Sequence, residues 1–223
     1  MRYFPTVVTT LAAASLTLAS PWASALTLDF GESDLPPICS NTADGLGTVV
    51  ACSNSGYLSQ SYGDVAGVVD VTYSTPELAN SSLEWWSTDY NSLYGVAFAP
   101  LVSGARIELK PLVSGEGIHL TGFDFGAYPN TSKPTKINVY AIGGGAALFN
   151  YVGNVGNAGG AATSFAVDIT SANGLWIDWK DDSYNVGIDH IQFSTAAVPE
   201  PASVALMLTG LLGVGAVARR RRG

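Results

Sequence analysis

The chain has 223 residues, a formal net charge of −8 and 47% hydrophobic residues. The first 25 and last 26 residues hold five of the ten basic residues but only one of the eighteen acids, so residues 26–197 carry a net charge near −12. Nucleic acids and anionic lipid surfaces bind basic patches, so this composition argues against both as partners. This acidic composition is more typical of an exported protein or of a protein that binds cations.

Residues 1–25 have the three-part organisation of a secretory signal peptide. Arg2 precedes an apolar stretch over residues 7–19, and Ala23 and Ala25 place small residues at the −3 and −1 positions. This order predicts cleavage after Ala25 and export through the Sec translocation machinery. A helix or strand of the fold is the disfavoured alternative. Residues 26–197 then form one domain, long enough for a sizeable core.

Cys39 and Cys52 are the two cysteines of the chain. In an oxidising compartment, a disulfide that closes this short loop is the expected state. A metal pair or a redox couple fits less well, because the spacing is not C-x-x-C and no histidine lies nearby.

The domain reads as β-strand almost throughout. Ten stretches alternate apolar and polar residues or combine β-branched and aromatic residues between turn residues. They are LTLDF, VAGVVDVTY, LYGVAFA, ARIELKPLV, GIHLTGFDF, TKINVYAI, ALFNYV, SFAVDIT, GLWIDW and GIDHIQF. Ten short strands at this spacing predict an all-β fold, an antiparallel jelly-roll or β-sandwich.

One strand changes its apolar parity. In GIHLTGFDF the apolar positions move from Ile118 and Leu120 to Phe123 and Phe125. A slip of one residue at Gly122 produces this change, since glycine is typical of a β-bulge.

The sequence holds little that indicates an enzyme. It lacks G-x-S-x-G, H-E-x-x-H, a Walker loop and a dinucleotide fingerprint. Glycosidases need only two carboxylates, but an acidic domain provides such pairs by chance. His119 and His190 are interpreted as structural. We therefore expect no catalytic residue and no enzymatic activity, with a polysaccharide hydrolase or lyase as the disfavoured alternative.

The sequence supports a metal site better than it supports an active site. Asp189 shares the parity of Ile191 and Phe193 in the last strand, and a carboxylate facing a core is costly unless it is paired or bound to a cation. Asp29 and Glu32, in and just after the first predicted strand, are the other candidate ligands. Carboxylate oxygens favour calcium. The alternative is a carboxylate bonded to backbone amides.

Aromatic residues form the third candidate site. Trp85 and Trp86 are adjacent, so in a strand one ring faces the core and the other faces outwards. An outward ring can stack on the apolar face of a sugar while nearby polar groups bind its hydroxyls. Ordinary core packing is the alternative. The candidate carbohydrate-binding residues are Trp86, Tyr90, Trp176 and Asp178.

The C-terminal segment combines three elements. A stiff motif, Val198, Pro199, Glu200 and Pro201, precedes an uncharged apolar run over residues 202–218, and then come Arg219, Arg220, Arg221 and Arg222. The run would extend about 26 Å as a helix, at the lower end for crossing a bilayer. The arginines are expected to stay cytoplasmic, which places the acidic domain across the membrane.

Residues 198–223 resemble the PEP-CTERM sorting signal of bacterial exported proteins. The resemblance implies processing by an exosortase-type membrane peptidase near the Pro-Glu-Pro motif. It also implies a membrane-anchored precursor that reaches the cell surface or the medium after processing, in bacteria that make extracellular polysaccharide. The stretches SQSYGDVAGVVDVTY, LTGFDFGAY and VGIDHIQF resemble jelly-roll domains of the galactose-binding-like kind. In such folds the acid of the last strand, here Asp189, joins acids of the first strand around a structural calcium.

The expected function is therefore that of an exported, non-catalytic β-sandwich that binds or organises extracellular polysaccharide. A structural or adhesive surface protein without a specific sugar ligand is the alternative.

Overall fold

The computed structural model describes residues 25–31, 37–101 and 104–197. Residues 1–24 of the predicted signal peptide, the predicted sorting signal and Glu32 lie outside these ranges. Within them the chain forms fourteen β-strands joined by turns and loops, and no helix.

The strands are numbered in chain order. They are β1 (Ala25–Leu28), β2 (Cys39–Ser40), β3 (Val49–Val50), β4 (Gly56–Leu58), β5 (Val69–Ser74), β6 (Glu84–Trp86), β7 (Val96–Phe98), β8 (Ala105–Pro111), β9 (Glu116–Ala127), β10 (Lys133–Ala141), β11 (Phe149–Val155), β12 (Thr163–Ser171), β13 (Leu175–Lys180) and β14 (Val186–Ala197).

The strands form two antiparallel sheets. The nine-stranded sheet has the order β12-β9-β14-β7-β6-β4-β2-β3, with β1 also paired to β14. The five-stranded sheet has the order β11-β10-β13-β8-β5. One buried hydrophobic cluster takes side chains from both sheets, such as Ile107 and Ile177 from one and Phe125 and Ile188 from the other. The all-β sandwich predicted from the sequence is confirmed.

All ten predicted stretches overlap a strand of the structure. The four strands without a predicted counterpart are β2, β3, β4 and β6, each of two or three residues. Runs this short show little alternation by themselves, and β7, also three residues long, is predicted only because it lies within the longer apolar stretch LYGVAFA. The cysteine prediction is also confirmed, because Cys39 of β2 and Cys52 form a disulfide.

Strand β9 changes register at the predicted glycine. Gly122 pairs with Gln192 of β14, but the next pair is Leu120 with Phe193, so β9 carries one extra residue there. The bulge allows Leu120 and Phe123, on either side of it, both to be buried. The predicted slip at Gly122 is thus confirmed.

Strand β14 has two different neighbours along one edge. Ile188 pairs with Ala97 of β7, whereas Ile191 pairs with Leu28 of β1. The exchange falls at Asp189 and His190, where the pairing of β14 with β9 is also irregular. The end of β1 is therefore brought to these two residues.

Glu84 of β6 supports a prediction about pH. Its side chain is buried, and burial raises the pKa of the carboxyl, while a hydrogen bond with Ser55 acts in the opposite direction. A carboxyl whose folded-state pKa exceeds its unfolded value destabilises the fold at higher pH. That cost is fully present above the folded-state pKa and disappears below the unfolded value.

We therefore expect Glu84→Gln to raise the melting temperature at pH 7, and the gain to vanish at about pH 3.5, below the ordinary carboxyl pKa. Thermal unfolding followed by circular dichroism at both pH values measures this. The same substitution at the exposed Glu77 serves as the control and should change neither value. A lower melting temperature of Glu84→Gln at pH 7 would contradict the prediction.

Candidate functional site

The outer face of the five-stranded sheet carries a row of polar and aromatic side chains. Alternation buries one side of β8, β10 and β13 and turns the other side outwards. Asn138, Asp178 and Arg106 lie side by side on these three strands, and Tyr140, Trp176 and Glu108 form the next row. We call these residues the sheet-face patch: Arg106, Glu108, Asn138, Tyr140, Trp176 and Asp178.

Arg106 holds the centre of the patch. Its Nε donates to Asp178 Oδ1 at 2.7 Å and its Nη2 donates to Asp178 Oδ2 at 2.7 Å, a bidentate pair. The guanidinium carbon also lies 4.2 Å from the ring centroid of Trp176. The hydrogen bond with Asp178 raises the pKa of Arg106, and burial opposes it. The two predicted residues Trp176 and Asp178 are thus brought together through an arginine that the sequence did not indicate.

The other contacts also fix the patch. Trp176 Nε1 donates to a carboxylate oxygen of Glu108. Beside Asp178 the surface forms a shallow cavity of about 150 Å³. Arg106, Asn138 and Tyr140 contribute to its wall. These contacts hold the indole ring of Trp176 in place near a cavity whose wall includes polar side chains.

Positive charge is concentrated on this sheet. All five basic residues in the described part of the chain lie on β8, β10 and β13, namely Arg106, Lys110, Lys133, Lys136 and Lys180. Acidic residues form ion pairs with several of them. Arg106 pairs with Asp178, and Lys136 Nζ lies 3.0 Å from Asp181 Oδ2. The outer face is therefore close to neutral, although the domain as a whole is strongly acidic.

The remaining two aromatic candidates lie on the other sheet. Tyr90 is only 3% exposed, and its hydroxyl donates to the Tyr184 carbonyl at 2.7 Å. Trp86 packs against Phe98 and Tyr128 in the same small cluster. Tyr90 is buried because its loop folds back over the nine-stranded sheet, which residue spacing does not reveal. Its ring is therefore not an open stacking surface, and Trp86 is separated from Trp176 and Asp178.

A second group of interest surrounds the β14 partner exchange. Asp189 is fully buried, and its Oδ1 accepts a hydrogen bond from the Phe30 amide at 2.8 Å. Asp29 lies beside it, and Asp29 Oδ1 accepts a hydrogen bond from the Gly31 amide at 2.8 Å. The structure thus brings together two of the three predicted calcium ligands. The third, Glu32, lies outside the described residues, and calcium binding stays a prediction.

His190 joins this group, although the sequence favoured a purely structural histidine. Its Nδ1 lies 2.9 Å from Asp124 Oδ2, and its Nε2 lies 3.5 Å from both Asp29 Oδ2 and Asp189 Oδ2. Its φ of 50° is unusual within a strand. The signal that could have found it was the position of a histidine directly after a core-facing aspartate.

Burial is the largest single influence on the pKa values of Asp189 and His190. Burial raises the pKa of Asp189 to about 7, while the Phe30 amide and His190 act in the opposite direction. Burial also opposes the charged form of His190, but Asp189, Asp124 and Asp29 outweigh it and raise the pKa of His190. The group therefore favours positive charge at its centre.

A comparison with known families matches residues 197–222 to a model described as the PEP-CTERM protein-sorting motif. The chain carries a PEP-CTERM sorting motif. This motif implies an exported protein that an exosortase-type system sorts and processes, as the resemblance of the C-terminal segment had predicted. It covers the C-terminal segment alone and assigns no activity to the sandwich.

No curated protein matches this chain. Among solved structures, an exo-β-1,3-galactanase from Phanerochaete chrysosporium aligns with a TM-score of 0.32 and 15% identity, over 59% of this chain and 29% of its own. A ruminal GH26 endo-β-1,4-mannanase aligns with a TM-score of 0.29 and 15% identity, over 53% and 24%. A family 29 carbohydrate-binding module from Piromyces equi aligns with a TM-score of 0.27 and 17% identity, over 59% and 92%.

The chain thus spans less than a third of the galactanase and of the mannanase. At these identities and TM-scores the likenesses carry no conclusion about ligand or activity. In the described part of the chain, no helix is long and apolar enough to cross a membrane. The predicted span, residues 202–218, lies outside that part.

The Arg106–Asp178 pair supports a prediction about stability. Lysine cannot form the planar bidentate bond or stack on Trp176 in the same way, so we expect Arg106→Lys to lower the free energy of unfolding by about 1 kcal/mol. Urea unfolding measures the difference. The reverse type of exchange at the exposed Lys180, Lys180→Arg, is the control and should have almost no effect. Equal stabilities of Arg106→Lys and the parent chain would contradict the assignment.

Proposed function

We propose that the exported sandwich binds extracellular polysaccharide on the sheet-face patch and that it does so without catalysis. The observation that carries this proposal is the arrangement of Trp176 and Tyr140 around the Arg106–Asp178 pair, next to a cavity of about 150 Å³. Small-ligand sites commonly combine apolar walls with a few fixed polar groups, and this patch has both.

The chemistry of the patch suits a sugar. Aromatic rings offer an apolar surface for the C–H face of a pyranose, and the bidentate bond with Asp178 uses two of the five N–H donors of Arg106. The other donors, together with the amide of Asn138, would bond hydroxyl groups. Because their contacts hold Arg106, Asp178 and Trp176 in place, these side chains lose little entropy on binding.

Charge favours this face over the rest of the surface. Residues 26–197 hold five basic and seventeen acidic residues, and four of the basic ones point outwards from this sheet: Arg106, Lys110, Lys136 and Lys180. An acidic polysaccharide would meet less repulsion here than elsewhere on the domain, whereas the net charge does not act on a neutral one.

The carboxylates of the patch support binding rather than hydrolysis. Glycoside hydrolysis uses one carboxyl as an acid and a second as a base or nucleophile. Here Asp178 is held in an ion pair with Arg106, and Glu108 accepts a hydrogen bond from Trp176. Both are committed to holding the patch together, which makes them poor candidates for proton transfer.

The test is a glycan array on the full chain, purified in detergent, followed by titration with the best ligand. We expect Trp176→Ala and Tyr140→Ala each to weaken binding about tenfold or more, since stacking surface and the support of Arg106 are lost. Tyr94→Ala is the matched control, because Tyr94 is 58% exposed and lies in the loop before β7, which belongs to the other sheet. It should bind as the parent chain does.

Two outcomes would overturn the proposal. One is the absence of binding to every glycan by a chain that melts cooperatively, which would favour a structural or adhesive protein. The other is a loss of binding in Trp86→Ala but not in Trp176→Ala, which would move the site to the aromatic cluster of the nine-stranded sheet. Release of reducing ends from a bound polysaccharide would contradict the non-catalytic part.

A further inference from the structure

We infer that Asp29, Asp189 and His190 form a binding site for a divalent metal of the zinc class, with Asp124 as the residue that orients the histidine. The three ligand atoms all lie within 4.8 Å of one another. This site lies on the nine-stranded sheet and is independent of the sugar-binding proposal.

The first argument is an unpartnered buried oxygen. Asp189 has a side chain only 1% exposed, yet its Oδ2 has no hydrogen-bond partner among the described residues. A buried carboxylate oxygen without a partner is costly, and a cation bound beside it would remove that cost. This oxygen faces the Nε2 of His190 at 3.5 Å, too far for a good hydrogen bond.

The second argument is the spacing. His190 Nε2 lies 3.5 Å from Asp29 Oδ2 and also 3.5 Å from Asp189 Oδ2. Zinc holds nitrogen and oxygen ligands at about 2.0–2.2 Å, so a tetrahedral site places its ligand atoms about 3.3–3.6 Å apart. Both separations match the edge of such a tetrahedron.

The third argument is the partner on the other ring nitrogen. Asp124 Oδ2 lies 2.9 Å from His190 Nδ1. Histidines that bind metals commonly donate the second nitrogen to a carboxylate, which fixes the ring and leaves Nε2 free as a ligand. The left-handed backbone of His190, φ 50°, and the partner exchange of β14 turn the ring towards Asp29.

The donor set distinguishes zinc from calcium. Calcium takes six to eight oxygen ligands, whereas an imidazole nitrogen with two carboxylates suits zinc and related transition metals. The side chain of His190 is 41% exposed, so a metal can enter and a water molecule can complete the fourth position. The bound metal would connect β14 to the segment that follows β1.

The test uses the full chain in detergent without a histidine tag, stripped of metal by a chelator and titrated separately with zinc and with calcium. We expect one zinc per chain and a rise in melting temperature on its addition. His190→Asn, which tolerates a positive φ, should weaken zinc binding more than about 100-fold, and Asp124→Asn about 10- to 100-fold.

The matched control is His119→Asn. His119 is the other histidine of the chain and pairs with Asp168 at 2.7 Å, so it offers an exposed imidazole–carboxylate pair without the buried aspartate. This variant should bind zinc as tightly as the parent chain. Cobalt in place of zinc should give the intense visible absorption of a tetrahedral site.

Several results would overturn the inference. They are no zinc binding by the folded parent chain, equal zinc affinities of His190→Asn and the parent chain, and a calcium affinity that exceeds the zinc affinity. If His190→Asn does not fold, Asp29→Asn provides the same comparison, and the cobalt spectrum of the parent chain decides the coordination without any substitution.

Discussion

The exchange of neighbours along β14 is the constraint on which the arrangement of this protein depends. One edge of β14 pairs with β7 at Ile188 and with β1 from Ile191 onwards. Between these points β14 ends its pairing with β7 and begins its pairing with β1. The residues that follow β1 lie beside this interval. The Phe30 amide then bonds to Asp189, and the Phe30 carbonyl accepts a hydrogen bond from Trp85 Nε1 at 2.8 Å. This junction joins the first and last strands to β6.

At the same junction, the nine-stranded sheet both completes the core and carries the group of Asp29, Asp124, Asp189 and His190. Its inner side completes the hydrophobic core, while the irregular pairing turns Asp189 and His190 towards Asp29 and Asp124. A regular strand would place successive side chains on opposite faces, so Asp189 and His190 could not share one group of carboxylates. The five-stranded sheet, by contrast, is regular through β8 and β13, and its regularity is what sets the sheet-face patch in rows.

The candidate residues show which contacts a sequence can predict. Trp176 and Asp178 are two positions apart in one strand, so period-two alternation predicts that they share a face. Arg106 lies 72 residues earlier than Asp178 and meets it only through the register of β8 with β13. Tyr90 was expected on the surface but is buried. Its loop packs onto Val96 and Phe98 of β7, in a small cluster separate from the main core.

The all-β class, ten of the fourteen described strands, the bulge at Gly122, the disulfide and the sorting motif could all be predicted from the sequence. Each depends on local alternation, on a characteristic residue or on an ordered motif, all of which can be read along the chain. The contacts between side chains could not be predicted: Arg106 with Asp178 and Trp176, and His190 with Asp29, Asp124 and Asp189. These contacts form only in the folded chain, because they depend on the register and order of strands distant in sequence and on one left-handed residue where β14 changes partners.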